Sequence, residues 1–312
     1  MNKIQAISFP YTEQTPPQYK TQNWPKISIV TPSFNQADYL EATILSILNQ
    51  NYPNLEYIII DGGSTDNSVE IIKKYADKLT FWVSEPDNGL YDAVQKGFKQ
   101  STGGIMAWLN SDDLYHPNAL KTVAEIFNSF ADIQWMTTTP TAFDETGRTV
   151  NVTDSLKIKW SKFRFYAGDF RWIQQESTFW RRSLWQKAGE RMAVNLRFAG
   201  DFELWLRFFR YEKLYFISTL TGGFRLRSTK QLSFDNMDDY LAEVHDCLKA
   251  ERLNLSRLDK IKMRLLKLDK LLKLLPKIRN IYEKSRISET HFEFTPDIIF
   301  NRITQTFTFK AK

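Results

Sequence analysis

Two adjacent carboxylates, Asp112 and Asp113, follow an apolar run, IMAWLN. Neighbouring like charges at the end of a strand repel and gain nothing from packing. A divalent cation bridging them and a diphosphate would remove the conflict, because hard ions such as Mg or Mn favour carboxylate and phosphate oxygens. The competing reading is a helix N-cap, since Asp113 precedes LYHPNAL and acids are stabilising at a helix start. Asp61 ends another apolar run, LEYIIID, and is followed by Gly62 and Gly63. A carboxylate there can accept a hydrogen bond from a base N–H while the glycines allow close approach. Equally, Asp-Gly is a common turn dipeptide. Thr31-Pro32 closes a further apolar run and reads as a rigid rim for a ligand or as a plain turn.

Such residues need elements to position them. Short β-branched runs at 26–34, 55–63, 79–87, 105–110 and 133–140 predict buried strands. Between them, 37–50 carries apolar residues at 40, 44, 47 and 48, a helical spacing, and STDNSVEIIKKYADK, GLYDAVQKGFKQS and HPNALKTVAEIFNSF also read as helices. Asp66 or Ser64 is the expected cap of the second helix. Alternating strands and helices predict an α/β fold with a mostly parallel, Rossmann-like sheet and helices on both faces. In open sheets of this kind the ligand sits outside the carboxyl ends of the strands. Those ends here are TPSFN, DGGSTD, SEPDNG and NSDD, all polar, three with carboxylates.

The expected organisation is a polar leader over 1–25, a catalytic domain over 26–250 and a basic amphipathic helical extension over 251–312. Within the domain, 26–140 is the nucleotide-binding half and 141–250, aromatic-rich and less regular, the acceptor half. Aromatic residues make up 14% of the chain, and core filling is the expected fate of most. One cysteine, Cys247, allows no internal disulfide. With no apolar signal core near the N-terminus and no run of about 20 apolar residues, the chain reads as cytoplasmic. The net charge of +6 is unevenly spread: 256–286 carries eleven Lys and Arg against three acids, so the rest of the chain is slightly acidic.

In order and spacing, ISIVTPSFNQADYLEATILSILNQNYPNLEYIIIDGGSTDNS, EPDNGLYDAVQKGF, GGIMAWLNSDD, QQESTFWRRSLWQKAG and GDFELWLR resemble family 2 glycosyltransferases of the GT-A fold, of the non-processive bacterial type. The resemblance covers roughly residues 26 to 235. It implies a metal-dependent, inverting hexosyltransferase that moves one sugar from a nucleotide-diphosphate donor, a UDP-sugar by the Asp61 match, to a saccharide or lipid-linked saccharide. Surface polysaccharide or glycolipid assembly is the implied setting. Thr31, Pro32 and Phe34, with Asn35 beside them, match the segment that walls the base. Asp61 matches the acid that reads the base edge, followed by Gly62 and Ser64. Gly89 and Asp92 help shape the donor site. Asn110 stands where the DxD-type motif has its first Asp, and Asp112 and Asp113 match its end, which holds ribose and metal; Asp113 is the favoured direct ligand of Mn or Mg. Asp201 matches the catalytic base, with Gly200 in place of the usual Glu. Gln174 and Gln175 match an acceptor-side segment. Arg227 and Lys230, with Arg225, are expected at the diphosphate. His245 is a weaker candidate to complete the metal site. The Q-x-x-R-W motif and membrane spans of processive members are absent. The departures at Asn110 and Gly200 keep open a nucleotide-sugar-binding protein with a regulatory or scaffold role.

The Lys- and Leu-rich segment near 256–286 has three candidate partners: the catalytic domain or a second copy of the chain, as a homodimer seam; an anionic membrane at the cytoplasmic face of the inner membrane; and nucleic acid, disfavoured because no aromatic readers are interleaved.

Overall fold

The computed structural model describes residues 24–153, 160–168, 173–228, 235–272 and 294–310. The leader therefore lies almost wholly outside the described residues, as do Lys230 and the stretch 273–286 of the basic segment.

The most apolar runs form the centre. β1 (Ile27–Ser33) is buried along its whole length, and β2 (Leu55–Asp61) pairs with it in parallel register. β3 (Phe81–Ser84) continues the sheet beyond β2, and β4 (Ile105–Trp108) joins β1 on its other side, both in parallel. The chain thus grows outward from β1, then returns to add β4 at β1's free edge. That return is a topological switch point, where open α/β sheets bind ligands. The register levels the strand ends: Ser33 is opposite Asp61, and Asp61 is opposite Ser84. The connecting helices are α1 (Ala37–Leu48), α2 (Ser68–Lys74) and α3 (Leu90–Gln100). Asp66 supports the start of α2, its Oδ1 accepting a hydrogen bond from the Ser68 N–H at 2.9 Å.

Past β4 the chain departs from simple alternation. β5 (Leu114–Tyr115) precedes α4 (Ala119–Ser129) and β6 (Trp135–Thr138). Then come β7 (Thr141–Phe143), β8 (Thr149–Val152), α5 (Lys162–Tyr166), β9 (Thr178–Arg181) and α6 (Arg182–Lys187). α7 (Gly200–Tyr211), β10 (Tyr215–Ile217), β11 (Gly222–Arg225), α8 (Met237–Leu253) and α9 (Arg257–Leu272) follow, and a hairpin of β12 (Ile298–Asn301) and β13 (Thr306–Phe309) ends the described chain. The main sheet has the order β13-β12-β10-β6-β9-β4-β1-β2-β3. It is mostly parallel, with β9 inserted antiparallel between β4 and β6. A second sheet, β5-β11-β7-β8, lies beside the end of β4.

The hairpin corrects the expectation that 251–312 is helical throughout. Residues 306–309 alternate threonine and phenylalanine and pair with 298–301 across a short turn, and β12 pairs with β10, so this segment completes the main sheet.

The aromatic residues fill the core, as expected. Trp205 on α7 stacks on Trp108 and Trp135 at centroid distances of 5.9 and 5.6 Å and meets Trp180 edge-on at 5.8 Å. All four indoles are buried. This cluster fixes α7 against the sheet one turn after Asp201. Replacing Trp205 with Ala is therefore expected to destabilise the fold by about 3–5 kcal/mol. Urea unfolding of the variant checks this, and a loss below about 1 kcal/mol would show that the cluster does not anchor α7.

Candidate active site

A cavity of about 670 Å³ runs along the carboxyl edge of the four parallel strands. Each strand contributes its end. β1 supplies Pro32, Ser33 and Phe34; β2 supplies Gly62; the loop after β3 supplies Asp87 and Gly89; and Asn110, Ser111 and Asp112 follow β4. Because the strands lie in the order β4-β1-β2-β3, the cavity has a β4 end and a β3 end. Gln36, Leu90, Ala93, Phe224, Arg227, Asp235 and Asn236 complete the wall.

Loop conformations at the β3 end are set by buried carboxylates and amides. Asp61 is fully buried. Its Oδ2 accepts hydrogen bonds from the Gly63 and Ser64 N–H groups and the Ser84 hydroxyl, at 3.2, 2.9 and 2.7 Å. Its Oδ1 accepts from the Ser64 hydroxyl at 2.6 Å. Asn35, held at a positive φ of 52°, accepts a hydrogen bond from the Thr65 N–H through its side chain and donates its own N–H to Ser64 Oγ, both at 2.8 Å. Asn35 and Ser64 thus lock the loops after β1 and β2 together. Thr31 is buried, its hydroxyl 3.1 Å from the Tyr57 hydroxyl. Thr31, Asn35, Asp61 and Ser64 therefore shape the rim, and the carboxylate that faces the cavity at this end is Asp87. A Cβ on Gly62 would lie 2.6 Å from Asp87 Oδ2, so only glycine lets that carboxylate sit here. Burial raises the Asp87 pKa, opposed by the hydrogen bond from the Gly89 N–H. Asp92 stands back from the wall, accepting from the Asn88 N–H at 3.1 Å and pairing with Lys96 at 3.5 Å. Phe34 is 57% exposed over the cavity, an open ring face.

The β4 end divides the two adjacent aspartates. Asp112 lines the cavity and pairs with Arg227 at 3.1 Å, while Arg227 also donates to Gln36 Oε1 at 3.0 Å. Asp113 turns inward and is 1% exposed. Its Oδ1 accepts from the Arg225 N–H at 2.8 Å and its Oδ2 from the Asn110 side-chain amide at 3.2 Å. Arg225 and Arg227 both lie over the Tyr39 ring. The inward turn of Asp113 argues against it as the direct metal ligand, because its oxygens are committed to the protein.

Asn110 has a reason not to be aspartate. Its amide donates to Asp113, whereas a carboxylate would oppose it. The Asn110 Oδ1, by contrast, is buried with no hydrogen-bond partner among the described residues. Asp112, that oxygen and the cavity beside them suit a hard cation that takes its remaining ligands from phosphate and water. Among the described residues no group of three or more His, Cys, Asp or Glu is gathered for a metal.

Asp201 begins α7 at partial exposure. Burial pushes its carboxyl up to about 6, against the hydrogen bond from the Phe202 N–H at 2.7 Å. The Tyr91 hydroxyl, 3.4 Å away, also donates to it, and Tyr91 neighbours Leu90 of the cavity wall. A Cβ on Gly200 would lie 2.7 Å from the Tyr91 ring, so the tyrosine requires glycine there.

The two glutamines are engaged by the fold. Gln174 pairs with the Thr141 backbone, donating at 2.7 Å and accepting at 3.0 Å. Gln175 donates to the Trp108 carbonyl at 2.6 Å, while its own carbonyl oxygen is buried without a partner among the described residues. Both are unlike free acceptor-binding groups, since an amide clamped to backbone cannot turn to a sugar. His245 is 75% exposed on α8 and pairs only with Asp246 among the described residues, so it takes no part in the site. Glu176, by contrast, drew no notice in the sequence. It is buried beside Asp113, and burial lifts its carboxyl to about 7. Burial and the neighbouring Glu176 and Asp112 charges hold Asp113 well above the carboxylate range. The pair retains a proton.

Residues 28–189, just over half of the chain, match the family described as Glycosyl transferase family 2. An uncharacterized glycosyltransferase of Rickettsia prowazekii is 27% identical over 223 residues, 69% of each chain. One from Rickettsia typhi is 36% identical over 104 residues, 33% of this chain and only 32% of that relative's length. Among solved structures, S. aureus TarS 1-349 in complex with UDP-GlcNAc superposes with a TM-score of 0.64 at 18% identity, over 85% of this chain and 77% of that one. The S. aureus TarS 1-349 structure solved without that ligand gives 0.61 at 19% identity, over 76% and 69%. At these identities the likeness is one of fold, and the fold is GT-A.

The buried Asp113–Glu176 pair generates a stability prediction. Glu176 has its pKa raised from 4.5 to about 7 on folding, so the folded state binds more protons in that window. Stability then falls as pH rises from 4.5 through 7, where the proton is lost. The melting temperature in chelator is expected to drop across this range, and Glu176→Gln to flatten the drop. An unchanged slope in Glu176→Gln would contradict the shared proton.

Proposed function

This chain belongs to glycosyl transferase family 2, and we propose that its cavity binds a UDP-sugar and passes the sugar, with inversion, to a saccharide or lipid-linked saccharide in surface polysaccharide or glycolipid assembly. One observation carries the reading. The cavity offers a carboxylate at its β3 end, an open aromatic face where β1 ends, and a carboxylate with a guanidinium at its β4 end. A nucleoside diphosphate has matching parts at matching ends. UDP-GlcNAc in S. aureus TarS, of like fold, supports uridine as the nucleoside.

The base lies against Pro32 and Phe34. Asp87 accepts the uracil N3–H, with Asp61 organising the loop behind it. Arg227 takes the diphosphate oxygens, for which its planar fork is suited; Lys230 follows three residues on in the sequence. Asp112 and the Asn110 carbonyl are the groups that would hold Mn or Mg, which when bound neutralises charge on the departing diphosphate. Asp201 removes the acceptor hydroxyl proton as that oxygen attacks the anomeric carbon. A carboxyl near 6 is ionised at neutral pH yet basic enough to take the proton. Attack opposite the leaving diphosphate inverts the centre. The departures that suggested binding without turnover have local causes: Asn110 donates to Asp113, and Gly200 accommodates Tyr91.

Three measurements test these assignments. In sugar-transfer assays across a donor and acceptor panel, kcat/KM is expected to rise with pH through about 6 and then level, because the base must be deprotonated. Asp201→Asn should keep donor affinity while turnover falls about 100-fold or more; equal losses of both would make Asp201 structural. Asp87→Asn should weaken UDP by about tenfold yet leave pyrophosphate binding unchanged, whereas equal weakening of both would remove Asp87 from the base end.

A further inference from the structure

α9 has two faces with different fates. One packs on the domain: Met263 and Phe294 both pack on Phe163, Lys262 lies 4.9 Å from the Phe163 ring centroid, and Asp259 pairs with Lys162 at 3.6 Å. A second face, about 120° round the helix, is exposed. Leu258, Ile261 and Leu265 are 70%, 50% and 46% exposed, and their 3-4 spacing places them on one stripe. Leu253, at the end of α8, adds a fourth large aliphatic group at 74% exposure.

Beside this stripe lies a second cavity, of about 280 Å³, formed where α5, α8 and α9 converge. Ala167, Leu255 and Met263 give it an apolar floor, and Arg252, Lys260 and Arg264 a cationic rim. Among the described residues its lining holds no carboxylate. Arg252 donates to the Tyr166 carbonyl and Lys260 to the Leu253 carbonyl, both neutral acceptors, and among the described residues neither cation is paired with an acid. From 252 to 265 the chain carries five cations and one acid, and that acid, Asp259, is paired with Lys162.

We propose that this face docks on an anionic membrane, the aliphatic stripe entering the interfacial layer and the cationic cavity receiving a phospholipid headgroup phosphate. The combination selects the partner. A second copy of α9 would cover the aliphatic groups but set one cationic flank against another. Nucleic acid would answer the cations and leave Leu258, Ile261 and Leu265 in water. A bilayer with acidic headgroups answers both, through apolar burial and surface charge together. Guanidinium groups at the rim suit phosphate oxygens. Among the described residues no helix is long and apolar enough to cross a membrane, so the contact made here is peripheral. α8 starts beside Asn236 of the donor cavity and runs 17 residues, or roughly 25 Å, to the docking face. The cleft would therefore stand above the surface, within reach of an acceptor carried on a lipid, a consequence that rests on the proposed transfer reaction.

The test is co-sedimentation of the full chain with vesicles of phosphatidylcholine alone and of phosphatidylcholine mixed with phosphatidylglycerol. Binding to the mixed vesicles is expected to exceed binding to the neutral ones by at least about tenfold and to weaken as salt is added. Ile261→Asp combined with Leu265→Asp should abolish it. Lys260→Glu combined with Arg264→Glu should lower it by at least about tenfold. Both pairs should keep the wild-type melting temperature and UDP affinity, which separates failure here from failure of the donor assignment. The proposal is overturned by equal affinity for neutral vesicles, by no vesicle binding, or by binding that survives both variants. A dimer in sedimentation equilibrium that Ile261→Asp dissolves would assign the face to a second copy and overturn it as well.

Discussion

A buried aspartate sets the geometry of the site. Asp113, almost without exposure, must have its oxygens satisfied inside the protein, because a buried polar group left unpaired costs about 1–3 kcal/mol. Its carboxyl takes donors from two places, the Arg225 N–H on β11 and the Asn110 amide beside it, while the Thr43 hydroxyl of α1 holds the local backbone, lying 2.8 and 2.9 Å from the Asp113 and Ser111 carbonyls. One residue thereby ties the end of β4 to α1 and to the second sheet. With Asp113 turned inward, Asp112 faces the cavity. With β11 fixed by its backbone at Arg225, Arg227 two residues later meets Asp112. The charged end of the donor cavity follows from that one constraint.

The proposed base has its own anchor, in the core. α7 buries Phe202, Leu204, Trp205, Leu206 and Phe208, and the stacked indoles leave it little freedom to shift. Asp201 is carried at the start of that helix. Burial makes the carboxyl more basic than an ordinary surface aspartate, against the Tyr91 hydrogen bond, which lowers it. Rigidity and basicity thus come from the same packing, and Gly200 is the residue that lets Tyr91 approach.

Much of this was legible in the sequence, and the boundary is physical. β1 to β4 announce themselves through continuous apolar runs, and their polar ends locate the cavity. Which of two adjacent aspartates faces it is not written in the run IMAWLNSDD, since the division depends on donors from β11, more than a hundred residues away. Asp87 carries the same strand-end signal in LTFWVSEPD as Asp61 does in LEYIIID, and nothing in either run tells which of the two faces the cavity. Glu176 looked like an unremarkable residue of QQES; only the fold puts it against Asp113. The small strands β5, β7 and β11 are too short for a periodic signal, and the 298–309 hairpin follows a Lys- and Leu-rich helix that dominates the local composition. The glutamines and His245 were chosen by type, and burial or exposure decided their roles.

The central claim is that a nucleoside diphosphate lies along the cavity with its phosphates at Asp112. Calorimetric titration of UDP, GDP and dTDP into the wild type and Asp112→Asn, each with and without Mn, tests it most directly. The account predicts tight, Mn-dependent binding of UDP by the wild type and loss of the Mn dependence in Asp112→Asn. No binding of any of the three to a well-folded wild-type sample, or an undiminished Mn dependence in Asp112→Asn, would contradict it.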